Sequence, residues 1–390
     1  MKKSYLMMAA AATMLAACTQ TDFVNEVPAE APKAIAFENG FVNKATRSEN
    51  SSSNYTLKFS DHHGNFNVWG YKNNDTEPVF NEKTVNVTLG QNAGSEIYTY
   101  NGLVYWDESA DNYHFYAAAP AEHDWVFEVP DNADKSNGYF KTDITLDNER
   151  INLGVGSHLE SLKPQVGELA ADEYNQDLLI AAPCTPIIGQ TVGLEFIHIL
   201  SRLNIVVSKK GGMTEEVRTY KVGIYNMNMS GSFDESTPVT ELEKGSYARW
   251  SNQDNLGNYI AQRAEGAEVQ EDVERYVIQT LVVPQAVAYQ KVNLKGEDEN
   301  GNALSTSSKP YLYIEYGVEN GKDTNGNKTF EKFRKYYNLA QIFGVTEGKT
   351  LPFNEGWENT LTLTIGPNSI GFKASVATWA AGTTTEGSLN

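Results

Sequence analysis

Cysteine is close to absent from this chain: 390 residues hold two, Cys18 and Cys184. Two cysteines build neither a disulfide framework nor a zinc knuckle. Basic side chains are also scarce, 31 Lys and Arg against 50 Asp and Glu, for a net charge of −19. So acidic a surface repels nucleic acid and anionic membranes and favours solubility. Nucleic acid is therefore not an expected partner. The chain has no Gly-x-Ser-x-Gly elbow, phosphate loop or dinucleotide fingerprint, the short motifs that would announce acyl-transfer or nucleotide chemistry. Nowhere does an apolar run reach the roughly 20 residues that span a bilayer as a helix, and beyond the leader no long stretch has helical periodicity. No enzyme and no cofactor are expected.

Candidate metal ligands fare no better. His62 and His63 follow Asp61, but adjacent strand residues point to opposite faces, so two such imidazoles rarely reach one ion. Asp298-Glu299-Asn300-Gly301-Asn302 and Asp323-Thr324-Asn325-Gly326-Asn327 begin like calcium loops. Their glycine falls at the fourth position rather than the sixth, and no glutamate stands at the twelfth. Both read better as turns. Cys184 follows the apolar stretch Leu178 to Pro183 and reads as a buried, inert thiol. Trp69, Trp106, Trp125, Trp250, Trp357 and Trp379 could stack on sugars, yet most lie in strand-like runs, where core packing is the default.

What the chain does have is apolar and aromatic content, 40% and 11%, enough for real cores. At roughly 150 residues per domain, two domains are expected. The N-terminus reads as an export address. Lys2 and Lys3 precede an apolar run from Tyr5 to Ala17, ending in Leu15-Ala16-Ala17-Cys18. Charge, length and small residues match a signal peptide with a bacterial lipoprotein box. Residues 1–17 are thus read as the signal peptide and Cys18 as the lipidated residue, anchoring the protein in the outer membrane at the cell surface. Residues 19–32, rich in Ala, Pro and Glu, read as a tether.

Beyond it the signals are those of strands. Ala34 to Val42 is the first, and Ser48 to Asn54 is a polar break. Then come Thr56–Phe59, Phe66–Tyr71, Val85–Leu89, Tyr113–Tyr116, a long run from Val192 to Val207, Val222–Tyr225, Tyr276–Val283, Tyr311–Tyr316, Leu361–Ile365 and Ile370–Val376. β-Branched and aromatic residues alternating between Gly and Asn punctuation are what half-buried strands require. Asn300-Gly301 and Asn325-Gly326 fit type I′ hairpin turns, in which both central residues take positive φ. The expected fold is all-β: two β-sandwich domains in tandem, 48–186 and 187–390, after a tether and first strand over 18–47.

The order of these pieces resembles the fimbrillin (Mfa-like) family of type V pilus subunits. The resemblance rests on Phe66-Asn67-Val68-Trp69-Gly70-Tyr71, on Val104-Tyr105-Trp106 followed by Tyr113 to Pro120, and on Asp177 to Ala181 leading into Leu194 to Leu203. Leu281-Val282-Val283-Pro284-Gln285 and a closing segment ending at Trp379 complete it. It implies two transthyretin-like sandwiches and a structural or adhesive role. It also implies a processing step: an arginine-specific protease cuts after the first strand, that strand leaves, and a strand from another pilus subunit fills the groove. Arg47 and Ser48, between the first strand and the polar break, match the cleavage site; the plainer reading is a surface arginine in a linker. For the donor, Ile370, Phe372, Ala374 and Val376 share one face of an extended strand, which fits a last core strand of its own domain equally well. The expected function is a pilus subunit, on the cell surface and in the fimbrium after processing, with a host or bacterial surface ligand among its candidate partners; the alternative is a surface glycan-binding lipoprotein.

Overall fold

The structure is a computed structural model. It describes residues 32–41, 59, 63–72, 75, 77–91, 95–130, 135–146, 177–239, 247–251, 255–269, 271, 275–291, 309–366, 369–378 and 387–389. In the first half lie β1 (Phe37–Phe41), β2 (Asn65–Lys72), β3 (Phe80–Leu89), β4 (Glu96–Thr99), β5 (Tyr113–Ala119), β6 (Val126–Glu128), β7 (Tyr139–Thr145), β8 (Leu179–Cys184) and β9 (Val192–His198). The second half begins with β10 (Ser201–Lys209), β11 (Val217–Asn228), β12 (Ser230–Asp234), β13 (Trp250–Ser251), β14 (Leu256–Val269), β15 (Arg275–Val282) and β16 (Gln285–Ala288). It ends with β17 (Tyr311–Lys322), β18 (Lys328–Asn338), β19 (Thr350–Phe353), β20 (Trp357–Ile365), β21 (Ile370–Thr378) and β22 (Gly387–Leu389). The one α-helix among the described residues is a single turn, α1 (Leu339–Ile342), capped by the Asn338 side chain. The all-β expectation holds.

Seven strands form the first sheet, in the order β1-β9-β8-β5-β2-β3-β4. Its middle strand, β5, is buried at every position, because both faces of the sheet are covered. Alternate residues serve each face. Phe66, Val68, Phe115, Ala117, Leu179 and Phe196 build one core. Trp69, Tyr116, Ala118 and Ile180 join a second, larger core that continues through the rest of the molecule. Gly70 is required by packing, since a Cβ there would meet the Phe115 ring at 2.9 Å.

In the second half a five-stranded sheet, β15-β10-β20-β21-β22, shares a core with a four-stranded sheet, β14-β11-β17-β18. Leu203, Ile205, Leu361 and Leu363 from the first meet Val222, Ile224, Leu312 and Ile314 from the second. The expected run from Val192 to Val207 is broken into β9 and β10 at Ile199 and Leu200. Their carbonyls turn aside to accept from the Trp250 indole at 3.2 Å and the Gly356 amide at 2.8 Å. The expected division near residue 186 falls between β8 and β9, which pair with each other in the first sheet; the chain changes sheet at 199–200. A further sheet, β13-β12-β7-β6, takes strands from both halves.

The hairpin at Asn325-Gly326 differs from the expected type I′ turn. Gly326 takes a φ of 85°, while Asn325 stays at negative φ. The Asp323 carboxylate accepts from the Asn325 and Asn327 amides, both at 2.8 Å. The backbone closes from Asp323 N–H to the Asn327 carbonyl at 2.8 Å. Asp323 therefore spends its oxygens on the turn. Of the other expected elements, Thr56 to Lys58, His62 and Asn300-Gly301 lie outside the described residues.

Candidate functional site

The feature that stands apart is the seat of the first strand. β1 runs parallel to β9, in register from Phe37 opposite Val192 to Phe41 opposite Phe196. Just before β1, the chain pairs on its other side with the segment 104–106. Ile35 N–H donates to the Val104 carbonyl at 2.8 Å, and Trp106 N–H donates to the Lys33 carbonyl at 3.0 Å. Val192 N–H reaches the Ala36 carbonyl at 2.8 Å. The segment thus pairs with 104–106 through residues 33–35 and with β9 through residues 36–41, and β1 itself is the edge strand of its sheet.

The side chains alternate as a strand in a slot requires. Ile35 and Phe37 are buried, at 1% and 6% exposure, while Ala36 and Glu38 face solvent. The Phe37 ring meets Phe66, Phe80, Tyr100 and Phe115 edge-on, at centroid distances of 5.5 to 6.4 Å. Such pairings contribute beyond their buried area. The Tyr100 hydroxyl donates to the Ile35 carbonyl at 2.6 Å, and burial, the leading effect, raises its pKa so that it stays a donor. Sequence reasoning found the strand but missed its walls. Phe80, Tyr100 and Val192 lie far apart in the chain, and nothing local ties them to Phe37.

Cys18, Arg47 and Ser48 lie outside the described residues. The candidate donor residues are on β21, which pairs with β20 over its whole length and with β22 on its other edge. Ala374 is buried, and Ile370, Phe372 and Val376 are half-buried; Phe372 sets its ring edge-on to Tyr337 at 4.6 Å. In this structure the segment is a strand of its own sheet.

The other candidates resolve into structure. Trp69, Trp106, Trp125 and Trp250 are buried, Trp357 is half-buried, and Trp379 lies outside the described residues. The Cys184 thiol is half-buried, and burial raises its pKa. His63 is buried beside the Phe59 ring and its pKa is lowered, chiefly by desolvation. Among the described residues no group of three or more His, Cys, Asp or Glu could hold a metal ion. No described helix is long and apolar enough to cross a membrane.

The architecture defines a class: an all-β protein whose first described strand closes the edge of its first sheet against a strand distant in sequence. The model of the family described as Fimbrillin-like matches residues 46–379, and the chain belongs to that family. The match begins just ahead of Arg47 and leaves residues 1–45, β1 among them, outside it. Among solved structures, a fimbrial protein from Bacteroides vulgatus is 11% identical, with a TM-score of 0.51 over 89% of this chain and 99% of that one. It shows the fold. The tip fimbrial protein Mfa3 from Porphyromonas gingivalis, with a C-terminal truncation, is 10% identical, with a TM-score of 0.38 over 82% and 96%. A fimbrial assembly protein from Parabacteroides distasonis is 9% identical, with a TM-score of 0.35 over 83% and 93%. Among curated proteins there is no match.

Proposed function

We propose that this chain is a structural or adhesive subunit of a type V pilus, polymerised by protease-triggered strand exchange. The observation that carries the reading is the seated first strand, with Ile35 and Phe37 buried, residues 33–35 paired with 104–106 and residues 36–41 paired with β9. Taking that strand away exposes the unpaired backbone of β9 and 104–106 beside an apolar slot. An edge of that kind templates another strand, and strand addition restores both the ladder and the alternating burial. Export and anchoring at Cys18 bring the precursor to the outer membrane. An arginine-specific protease then cuts between Arg47 and Ser48, and Ile370, Phe372, Ala374 and Val376 of another subunit refill the groove. Within each subunit the chain passes from the first sheet to the second at 199–200. The burial of Trp69, Trp106, Trp125 and Trp250 leaves the glycan-binding alternative with less to support it.

The test is cleavage followed by assembly. Trypsin-like treatment of the folded precursor should remove residues up to 47 and yield polymers by electron microscopy. Arg47→Ala should stay intact at that position and stay monomeric. Polymers that still carry the first strand would rule out exchange.

A further inference from the structure

The same topology makes a path for mechanical load, and this inference rests on the strand-exchange reading above. We propose that the parallel pair β10–β20 is a shear clamp that carries tension from the groove of one subunit to the strand it donates. β9 borders the groove directly. After the two residues Ile199 and Leu200 the chain enters β10 at Ser201. β10 pairs in parallel with β20 over eight positions, from Arg202 opposite Glu358 to Lys209 opposite Ile365. Past Ile365 the chain turns into Ile370, the first residue of the candidate donor strand.

Direction decides the mechanics. An incoming strand in the groove pulls β10 from its N-terminal end. A donated β21 pulls β20 from its C-terminal end. Parallel strands pulled from opposite ends slide along each other, so the evenly spaced bonds of a parallel ladder load together. Strands pulled from the same end peel, and their bonds break one at a time. Forced unfolding follows the rate of rupture rather than equilibrium stability, so this geometry can matter where a melting curve is silent.

Side-chain bonds across the strand pair reinforce the clamp. Asn204 Nδ2 donates to Thr360 Oγ1 at 3.2 Å, and Ser208 and Thr364 share a hydroxyl bond at 3.2 Å. Asn359 Nδ2 donates to Ser201 Oγ at 3.0 Å, and Ser201 Oγ donates to the Trp357 carbonyl at 3.1 Å. Ser201, Asn204 and Asn359 are at most 1% exposed. The Asn204–Thr360, Ser208–Thr364 and Asn359–Ser201 bonds all reach across the strand pair, so sliding breaks them. The ends are closed as well, by Gly356 N–H to the Leu200 carbonyl at 2.8 Å and Lys210 N–H to the Ile365 carbonyl at 2.9 Å.

Single-molecule force spectroscopy tests this on the full chain in a Cys18→Ser, Cys184→Ala background. Handles at Glu195→Cys and Ser369→Cys shear the pair; handles at Lys210→Cys and Ser369→Cys peel it. At one loading rate the shear geometry should rupture at a force at least about twofold higher. Asn204→Ala with Ser208→Ala should lower the shear force and leave the peel force nearly unchanged. Ile224→Val, in the facing sheet, serves as a control that lowers thermal stability without lowering the shear force. Equal forces in the two geometries, or a shear force indifferent to the Asn204 and Ser208 changes, would overturn the clamp. Failure of strand exchange itself shows separately, as absence of polymer after cleavage, and would remove the load the clamp is proposed to bear.

Discussion

At the residue scale, the position most at odds with its surroundings is Glu355. It is 4% exposed, with the Arg249 guanidinium at 3.7 Å and Glu235 nearby. Burial is the main reason its pKa is pushed up to about 7, with Glu235 adding and Arg249 opposing. Because the folded state holds this proton more tightly than the unfolded chain, stability falls as pH rises from about 4.5 to 7. The upper limit of that loss is about 3 kcal/mol, from roughly 1.4 kcal/mol for each unit of pKa. Glu355→Gln should therefore match the parent near pH 5 and melt higher than it at pH 8. A constant difference between the two melting curves across that range would show that Glu355 ionises normally. Phe37 is the second telling residue. Phe37→Ala should cost about 3–5 kcal/mol locally, as for other buried aromatic truncations. The loss should appear as release of the strand rather than global unfolding. Hydrogen exchange at the Trp106 and Val192 amides, which donate to the Lys33 and Ala36 carbonyls, would accelerate while the β10 amides stay protected.

At the scale of elements, the sequence pattern named the strands well where one face is wet and less well where both are buried. β21 and β20 alternate cleanly. The run from Val192 to Val207 did not reveal its break, because Ile199 and Leu200 are as apolar as their neighbours and are turned aside by Trp250 and Gly356, far along the chain. The same limit applies to β21 as a donor. Its alternation suits its own sheet and a neighbour's groove alike, since both ask for one apolar face. Deleting residues 370–390 distinguishes them. The deletion strips β20 of one neighbour and removes one buried and three half-buried apolar side chains, while β10 stays paired. The expected product is a folded monomer that melts lower and cannot join fibres. Its loss should resemble that of one large buried side chain, about 3–5 kcal/mol, against a domain stability of roughly 5–15 kcal/mol. An insoluble product would identify β21 as indispensable to its own sheet and send the search for the donor elsewhere.

At the scale of the whole molecule, the two halves are tied by more than a linker. β7 and β12 pair across them, and one apolar core runs from Trp69 to Ala374. Tension applied to the groove thus reaches the second half through packed structure as well as through the chain. Anchoring is tested at the same scale. Cys18→Ser should abolish lipid labelling and leave the protein unanchored, because no other run is long and apolar enough to hold a bilayer as a helix. Normal membrane association of that variant would refute lipidation as the anchor.

The sequence by itself determined what depends on neighbouring residues: strand alternation, the turn at Gly326, and a cysteine count too low for a disulfide scaffold. Tertiary structure alone decided which strand lies beside which. Parallel pairing of β1 with β9 and of β10 with β20 joins segments separated by most of a domain, and no local pattern encodes a partner at that distance. It also decided that Phe37 fills a slot walled by Phe80, Tyr100 and Phe115, since burial is a property of what surrounds a side chain and not of the side chain itself.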